Sequence, residues 1–308
     1  KSIKECSRMR TYTQEKLDVF KKTNKDRARL LINCADQPGI VAAVSQFLYE
    51  HNANILESSQ YSADPHAAGE FFMRVEFEIP NLKENAQKLE EDFKEIESKF
   101  HMEATFKYVD EVKKMAIFVS KEPHCLLELL WEWQSGDLMA DIRLVISNHE
   151  VARELVEPLG IPFYYIPANK EIRKQVEEQQ IKLLEEYKIE LIVLARYMQI
   201  LTPEFVGKYK NQIINIHHSF LPAFIGARPY ERAYDRGVKL IGATSHYVTN
   251  DLDEGPIIEQ DISRVDHRDN AVAMKKIGQS VERSVLARAV KWHLEDRIIV
   301  YGNKTIVF

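Results

Sequence analysis

Between residues 71 and 79 the apolar side chains Phe71, Met73, Val75, Phe77 and Ile79 occupy every second position, alternating with Phe72, Arg74, Glu76 and Glu78, of which all but Phe72 are charged. A period of two belongs to an extended strand, so this stretch predicts a strand with one buried face. Upstream, residues 29–34 predict a strand and 35–39 a turn through Pro38-Gly39. Residues 40–51 predict an amphipathic helix with Val44, Phe47 and Leu48 inward. A further strand begins at Asn54, 84–100 reads as a helix, and 104–109 as a closing strand. The order is βαββαβ, a ferredoxin-like plan of four antiparallel strands with two helices on one face. Before it, residues 1–27 are polar with little apolar periodicity and read as a leader. Met9 is a candidate biological start, and the sequence does not decide whether residues 1–8 belong to the natural protein.

The charged stretch 110–114 marks a boundary, after which the pattern changes. Near-continuous apolar runs at 115–119, 142–147, 163–166, 191–195 and 213–216 alternate with helical stretches near 125–135, 150–158, 173–187 and 203–209. That alternation predicts a Rossmann-like, mostly parallel sheet covered on both faces, with functional loops at the carboxyl ends of its strands. An apolar run at 257–265, a long helix from 268 to 293 and a hairpin turning at Gly302-Asn303 complete the chain. The expected division is a leader at 1–27, a regulatory or assembly domain at 28–110 and a catalytic α/β domain at 111–308.

Composition narrows the partners. With 45% hydrophobic and 29% charged residues the chain is of ordinary globular type, and a formal net charge of -5 gives no basic footprint for nucleic acid. No apolar run is long enough to span a bilayer and residues 1–24 are too polar for a secretory signal, so no membrane partner and a cytoplasmic location are expected. Cys6, Cys34 and Cys125 lack C-x-x-C spacing, which argues against a disulfide framework and a structural zinc site, and no metal is expected.

Chemistry enters at the end of the strand at 213–216. Asn215 and His217 are two residues apart on a strand and so share one face. A carboxamide can polarise a carbonyl, and an imidazole can move protons near neutral pH if a carboxylate orients it; Asp253, on the loop before Gly255-Pro256, is the candidate carboxylate. Taken singly, Asn215 reads equally as a turn cap and His217 as a structural histidine.

The motifs in series decide between these readings. Asn215-x-His217, Leu221-Pro222, Gly242-x-Thr244-x-His246 and Asp253-x-Gly255-Pro256 occur in that order, and the series resembles the formyltetrahydrofolate-dependent transferase and hydrolase superfamily. Within it, His218 in place of Pro, the run Ala223-Phe224-Ile225-Gly226-Ala227-Arg228-Pro229-Tyr230 and the extra N-terminal domain are similar to the deformylase branch. The N-terminal unit, with Asp36-x-Pro38-Gly39 between its first strand and helix, resembles an ACT domain.

The resemblance implies hydrolysis of 10-formyltetrahydrofolate to formate and tetrahydrofolate, serving one-carbon and purine metabolism. Asn215, His217 and Asp253 would be catalytic, and Met198, Gln199, Ile200 and Leu201 would line the folate pocket. Asp36, Gly39, Ile40 and Asn54 would meet an amino-acid effector in the ACT domain. It further implies no cofactor, the folate being the substrate, and a homo-oligomer, dimer or tetramer. Relatives that formylate a phosphorylated amine carry a Gly-rich phosphate loop after the first strand of this domain; here Ser120 to Leu126 contains no glycine. An amine-dependent formyltransferase and a non-catalytic folate or amino-acid sensor are the rival readings.

Overall fold

In the computed structural model, which describes residues 3–63, 69–169, 171–222 and 228–308, the chain opens on a helix, α1 (Ile3–Thr23). Residues 1–27, expected as a leader, are therefore largely helical: Leu17 is buried, and Asn24 Nδ2 donates to the Phe20 carbonyl at 2.8 Å where the helix ends. The βαββαβ alternation that follows forms β1 (Arg27–Ala35), α2 (Ile40–Glu50), β2 (Asn54–Ser62), β3 (Glu70–Glu78), α3 (Leu82–Phe100) and β4 (Glu103–Tyr108). The sheet order is β2-β3-β1-β4, with every pair antiparallel. Every second residue of β1, from Ala28 to Cys34, is buried with Val44, Leu48, Phe77 and Phe93 in one core. Each such Leu or Phe contributes about 1.5–3 kcal/mol by leaving water.

The strand β3 departs from the expected one-sided burial. Phe72 and Arg74, placed by the alternation on the polar face, are also buried. The guanidinium of Arg74 explains this: it binds Glu57 at 3.0 Å and Glu76 at 2.9 Å, and donates to the carbonyls of Asp296 at 3.1 Å and Glu295 at 3.2 Å. Arg29 adds bonds to Glu76 at 3.0 Å and to Asp296 at 3.1 Å. The C-terminal tail thereby covers the face that the local pattern leaves to solvent.

The second sheet has seven strands in the order β11-β10-β9-β8-β5-β6-β7. They are β5 (Lys114–Val119), β6 (Asp141–Ser147), β7 (Phe163–Tyr165), β8 (Leu191–Ala195), β9 (Ile213–His217), β10 (Leu240–Tyr247) and β11 (Ile257–Arg264). The run from β7 to β9 is parallel, and β10 is antiparallel to both neighbours. Helices α4 (His124–Ser135), α5 (Arg153–Val156), α6 (Arg173–Glu186), α7 (Pro203–Lys208), α8 (Pro229–Arg236) and α9 (Ala271–Leu294) connect and cover them. The helix expected over 150–158 is broken: α5 is one turn between 3-10 turns at Glu150–Ala152 and Glu157–Leu159, because Pro158 has no N–H to continue it. Neither β10 nor α8 was anticipated as an element. The hairpin of β12 (Ile298–Tyr301) and β13 (Lys304–Val307) turns at Gly302, where φ is 56°.

The chain divides into two compact units. One is Lys16–Val112 with Glu295–Ile299 and Ile306–Phe308; the other includes Lys113–Leu294 and Val300–Thr305. The tail, expected wholly with the second domain, is thus shared between them. Arg29 and Arg74 hold its start, whereas Asn303 Nδ2 donates to the Glu254 carbonyl at 2.9 Å and Thr305 Oγ1 to the Ile257 carbonyl at 2.6 Å.

Candidate active site

The apolar strand β9 ends in Asn215-Ile216-His217, and the pleat sends Asn215 and His217 to the same face. The antiparallel register of β10 sets His246 opposite Asn215 and Thr244 opposite His217. The loop after β10 then returns Asp253 to this point. That return depends on Gly255, where a Cβ would stand 1.8 Å from the Tyr247 carbonyl oxygen. Asp253 itself has φ 57°, a left-handed conformation costing a non-glycine residue about 1–3 kcal/mol, which persists where the surroundings fix it.

Asn215, His217 and Asp253 come together. Asp253 Oδ2 is 3.2 Å from His217 Nδ1, and Asn215 Nδ2 is 3.3 Å from His246 Nε2. His217 and His246 are both buried, and His217 Nε2 has no hydrogen-bond partner among the described residues. The ring of His246 donates from Nδ1 to the Tyr247 carbonyl at 2.9 Å, so in the neutral ring Nε2 accepts from Asn215. Its 3.6 Å separation from Asp253 Oδ1 is too long for a hydrogen bond, and the carboxylate belongs to His217. Burial pushes the Asp253 carboxyl up, yet the hydrogen bond from His217 and the nearby imidazoles of His217 and His246 outweigh it and hold the group below the usual carboxylate range.

The sequence motif contains His246 without marking it as part of the site; its place becomes visible only with the β9–β10 register. Thr244 is likewise unmarked there. Its hydroxyl donates to the Ser219 carbonyl at 3.0 Å and accepts from Leu221 N at 3.0 Å and Gln260 Nε2 at 2.9 Å, tying down the segment that leaves His217. His218 stacks on His217, with centroids 5.0 Å apart and planes 20° apart. Burial first, then the charges of Arg196 and His217, push its pKa down to about 4. Of the run quoted for the family likeness, Ala223 to Ala227 lie outside the described residues.

The other expected positions divide. Met198, Gln199, Ile200 and Leu201 follow β8, the strand beside β9; the side chains of Met198 and Ile200 are exposed, while Leu201 packs against the core. A separate apolar cavity of about 260 Å³ is lined by His218, Phe220, Tyr230 and Ile262 and by none of Asn215, His217 or Asp253. In the N-terminal unit, Asp36 accepts from Ser62 Oγ and Gly39 starts α2 with φ 97°, but Ile40 is buried in the core. Asn54 is not with them in one chain. It pairs with Glu78, level with Arg27, because β1 and β2 both run antiparallel to β3 and Asn54 opens β2 at the far end. His124, Cys125 and Glu282 bring ligand-type atoms within 4.8 Å of one another. The Arg196 guanidinium, 3.4 Å from Glu282, places a positive charge there that opposes a metal cation.

An ACT-type sandwich joined to a seven-stranded sheet with Asn, His and Asp at its strand ends defines a folate-type formyl-transfer protein. In agreement, residues 113–290 match the formyl transferase family and residues 28–93 the ACT domain family. The formyltetrahydrofolate deformylase of Bacillus subtilis (strain 168) is 65% identical over 300 residues, 97% of this chain and all (100%) of the relative. The crystal structure of a formyltetrahydrofolate deformylase from Pseudomonas syringae superposes with a TM-score of 0.88 at 46% identity, covering 92% of this chain and 94% of that one. A phosphoribosylglycinamide formyltransferase from Coxiella burnetii shares the fold over 64% of this chain and 94% of its own, at 30% identity and a TM-score of 0.60. The chain belongs to the formyltetrahydrofolate deformylase family.

Proposed function

We propose that this protein hydrolyses the formyl–nitrogen bond of 10-formyltetrahydrofolate, giving formate and tetrahydrofolate, with Asn215, His217 and Asp253 as the reacting set. The observation that carries the reading is the 3.2 Å pair between Asp253, on the loop after β10, and His217, at the strand end that also carries Asn215. His217 donates from Nδ1 to Asp253, which leaves Nε2 as the acceptor for a proton from water. The water oxygen bonds to the formyl carbon, and Asn215 Nδ2, with one hydrogen directed at His246, donates the other to the oxygen on which charge grows. The imidazolium, stabilised by Asp253, then protonates the leaving nitrogen as the carbon–nitrogen bond breaks, and the released formic acid ionises to formate. Incubation with 10-formyltetrahydrofolate and no amine tests the reading: formate and tetrahydrofolate in equal amounts support it, and unchanged substrate contradicts it.

The pterin would lie against Met198, Gln199, Ile200 and Leu201, of which Met198 and Ile200 offer the exposed apolar side chains that suit a flat heterocycle. No bound cofactor is assigned, since the folate is consumed. A water-soluble folate substrate and the free thiols of Cys34 and Cys125 suit a cytoplasmic enzyme supplying formate to purine synthesis. The ACT unit would assemble a dimer or tetramer and sense an amino acid near Asp36 and Gly39. In support, β2 is an edge strand that exposes Ile55, Leu56 and Tyr61, a template for pairing with a second copy.

A further inference from the structure

In an open parallel sheet, ligands are received outside the carboxyl ends of the strands, where successive strands leave to opposite sides. Here the chain runs from β5 outward through β6 to β7 and then returns to β8, so that point lies between β5 and β8, one strand from Asn215 and His217. A second reactant would be expected in this crevice. It is filled instead by the chain's own charged side chains.

Arg196, the first residue after β8, reaches across the crevice. Its Nη2 donates to Glu122 at 2.9 Å, and its Nε is 3.4 Å from Glu282. Glu282, on α9 and only 1% exposed, accepts from Tyr230 Oη at 2.6 Å and bonds His124 Nε2 at 2.8 Å. Lys275 pairs with the second oxygen of Glu122, and Ser120 Oγ accepts from Met198 N at 3.1 Å, joining the two loops again. Tyr230 comes this close because residue 278 is glycine: a Cβ there would stand 2.1 Å from the phenol oxygen. The network adjoins the reacting pair, since the Arg196 charge acts on His218, the ring stacked on His217.

This filling is costly for the fold. Arg196 adopts φ 63°, where glycine is at ease, and Nη1 of its buried guanidinium has no partner among the described residues. Burial opposes the charge of Arg196, although Glu282 and Glu122 outweigh it, and apolar side chains would fill such a space at least as stably. A charged bar does what an apolar filling does not: it closes the crevice one strand from Asn215 and His217, and because Glu122 and Glu282 are already paired with Arg196 it leaves an amine neither space nor an unpaired carboxylate to bind.

We propose that Arg196, held by Glu282 and Glu122, is the specificity-determining residue that restricts the formyl acceptor to water. The proposal rests on the deformylase reading. With Arg196 gone, an amine nitrogen takes the place of water: a new carbon–nitrogen bond forms to the formyl carbon, the bond to the folate nitrogen breaks, and one amine proton passes to that nitrogen. No other reactant is needed. The test gives full-length wild type and Arg196→Gly 10-formyltetrahydrofolate with increasing glycinamide, a primary amine small enough for the space a guanidinium leaves, and measures formate and formylglycinamide. Wild type is expected to give formate alone at every amine concentration. Arg196→Gly, which suits the local φ, is expected to retain hydrolysis within about tenfold of wild type and to divert a share to formylglycinamide that rises with amine. The double variant Arg196→Gly with Glu282→Gln, which removes the carboxylate left unpaired, guards against a folding defect and carries the same expectation. Formylglycinamide from wild type, or formate as sole product from variants that turn over, would overturn the proposal. So would loss of turnover in both variants, which would make Arg196 part of the reacting set. The deformylase reading is judged separately, by formate from wild type without amine.

Discussion

His217 has its Nδ1 committed to Asp253 and its Nε2 without a partner among the described residues, the arrangement of a ring that is held at one nitrogen and works at the other. Single substitutions Asn215→Ala, His217→Ala and Asp253→Ala are each expected to lower kcat by roughly two or more orders of magnitude, with thermal unfolding little changed; near-normal turnover of His217→Ala would remove it from the reacting set. The neighbouring His218 leaves a signature in stability rather than rate. Its folded pKa, about 4, lies below the ordinary 6.5, so as pH falls from about 6.5 to about 4 the unfolded chain takes a proton that the folded ring refuses. Stability is thus lost over that window, by on the order of 3 kcal/mol for this group, and is flat below it. Denaturant titrations should show a shallower loss for His218→Phe than for wild type; equal slopes would contradict the assignment. At this scale the sequence showed Asn215, His217 and Asp253 through the order of their motifs. It did not show that His246 touches Asn215, or that Arg196 meets Glu282, because those contacts depend on register and on packing between distant elements.

Elements with a strong period were the most legible. β1, α2, β3, α3 and the parallel strands follow from alternation and apolar runs, since each buries the face its own pattern marks. The misses have local causes. In β10 the apolar alternation is interrupted by Gly242, Thr244 and His246, residues that serve the loop and the site, and Pro158 breaks the helix expected over 150–158. For β3 the pattern gave one buried face, and the second is explained by Arg74, whose ionic partners and tail carbonyls lie far away in sequence. Within this cluster, burial pushes the Glu76 carboxyl up, but Arg29 and Arg74 outweigh it and bring it below its ordinary value. Truncation by Arg74→Ala leaves Glu76 with Arg29 alone and takes the Arg74 donors from the Asp296 and Glu295 carbonyls, and should destabilise the N-terminal unit by about 1–3 kcal/mol in denaturant unfolding. A loss below about 1 kcal/mol would show that the tail is held by other contacts.

For the whole molecule, the attachment of the C-terminal tail at Glu295 and Asp296 was not legible in the sequence, because its anchors are single arginines in β1 and β3. The exposed edge of β2 bears on assembly. Leu56→Arg puts a charge on that edge and is expected to lower the mass measured by sedimentation while leaving folate turnover per chain in place. An unchanged mass would contradict the proposed assembly through β2. The central claim, that water is the nucleophile at the carboxyl end of β9, is tested most directly by running the reaction in heavy-oxygen water without any amine and weighing the formate. The account predicts formate carrying one oxygen from solvent for each tetrahydrofolate released; tetrahydrofolate without labelled formate, or no turnover until an amine is added, would contradict it.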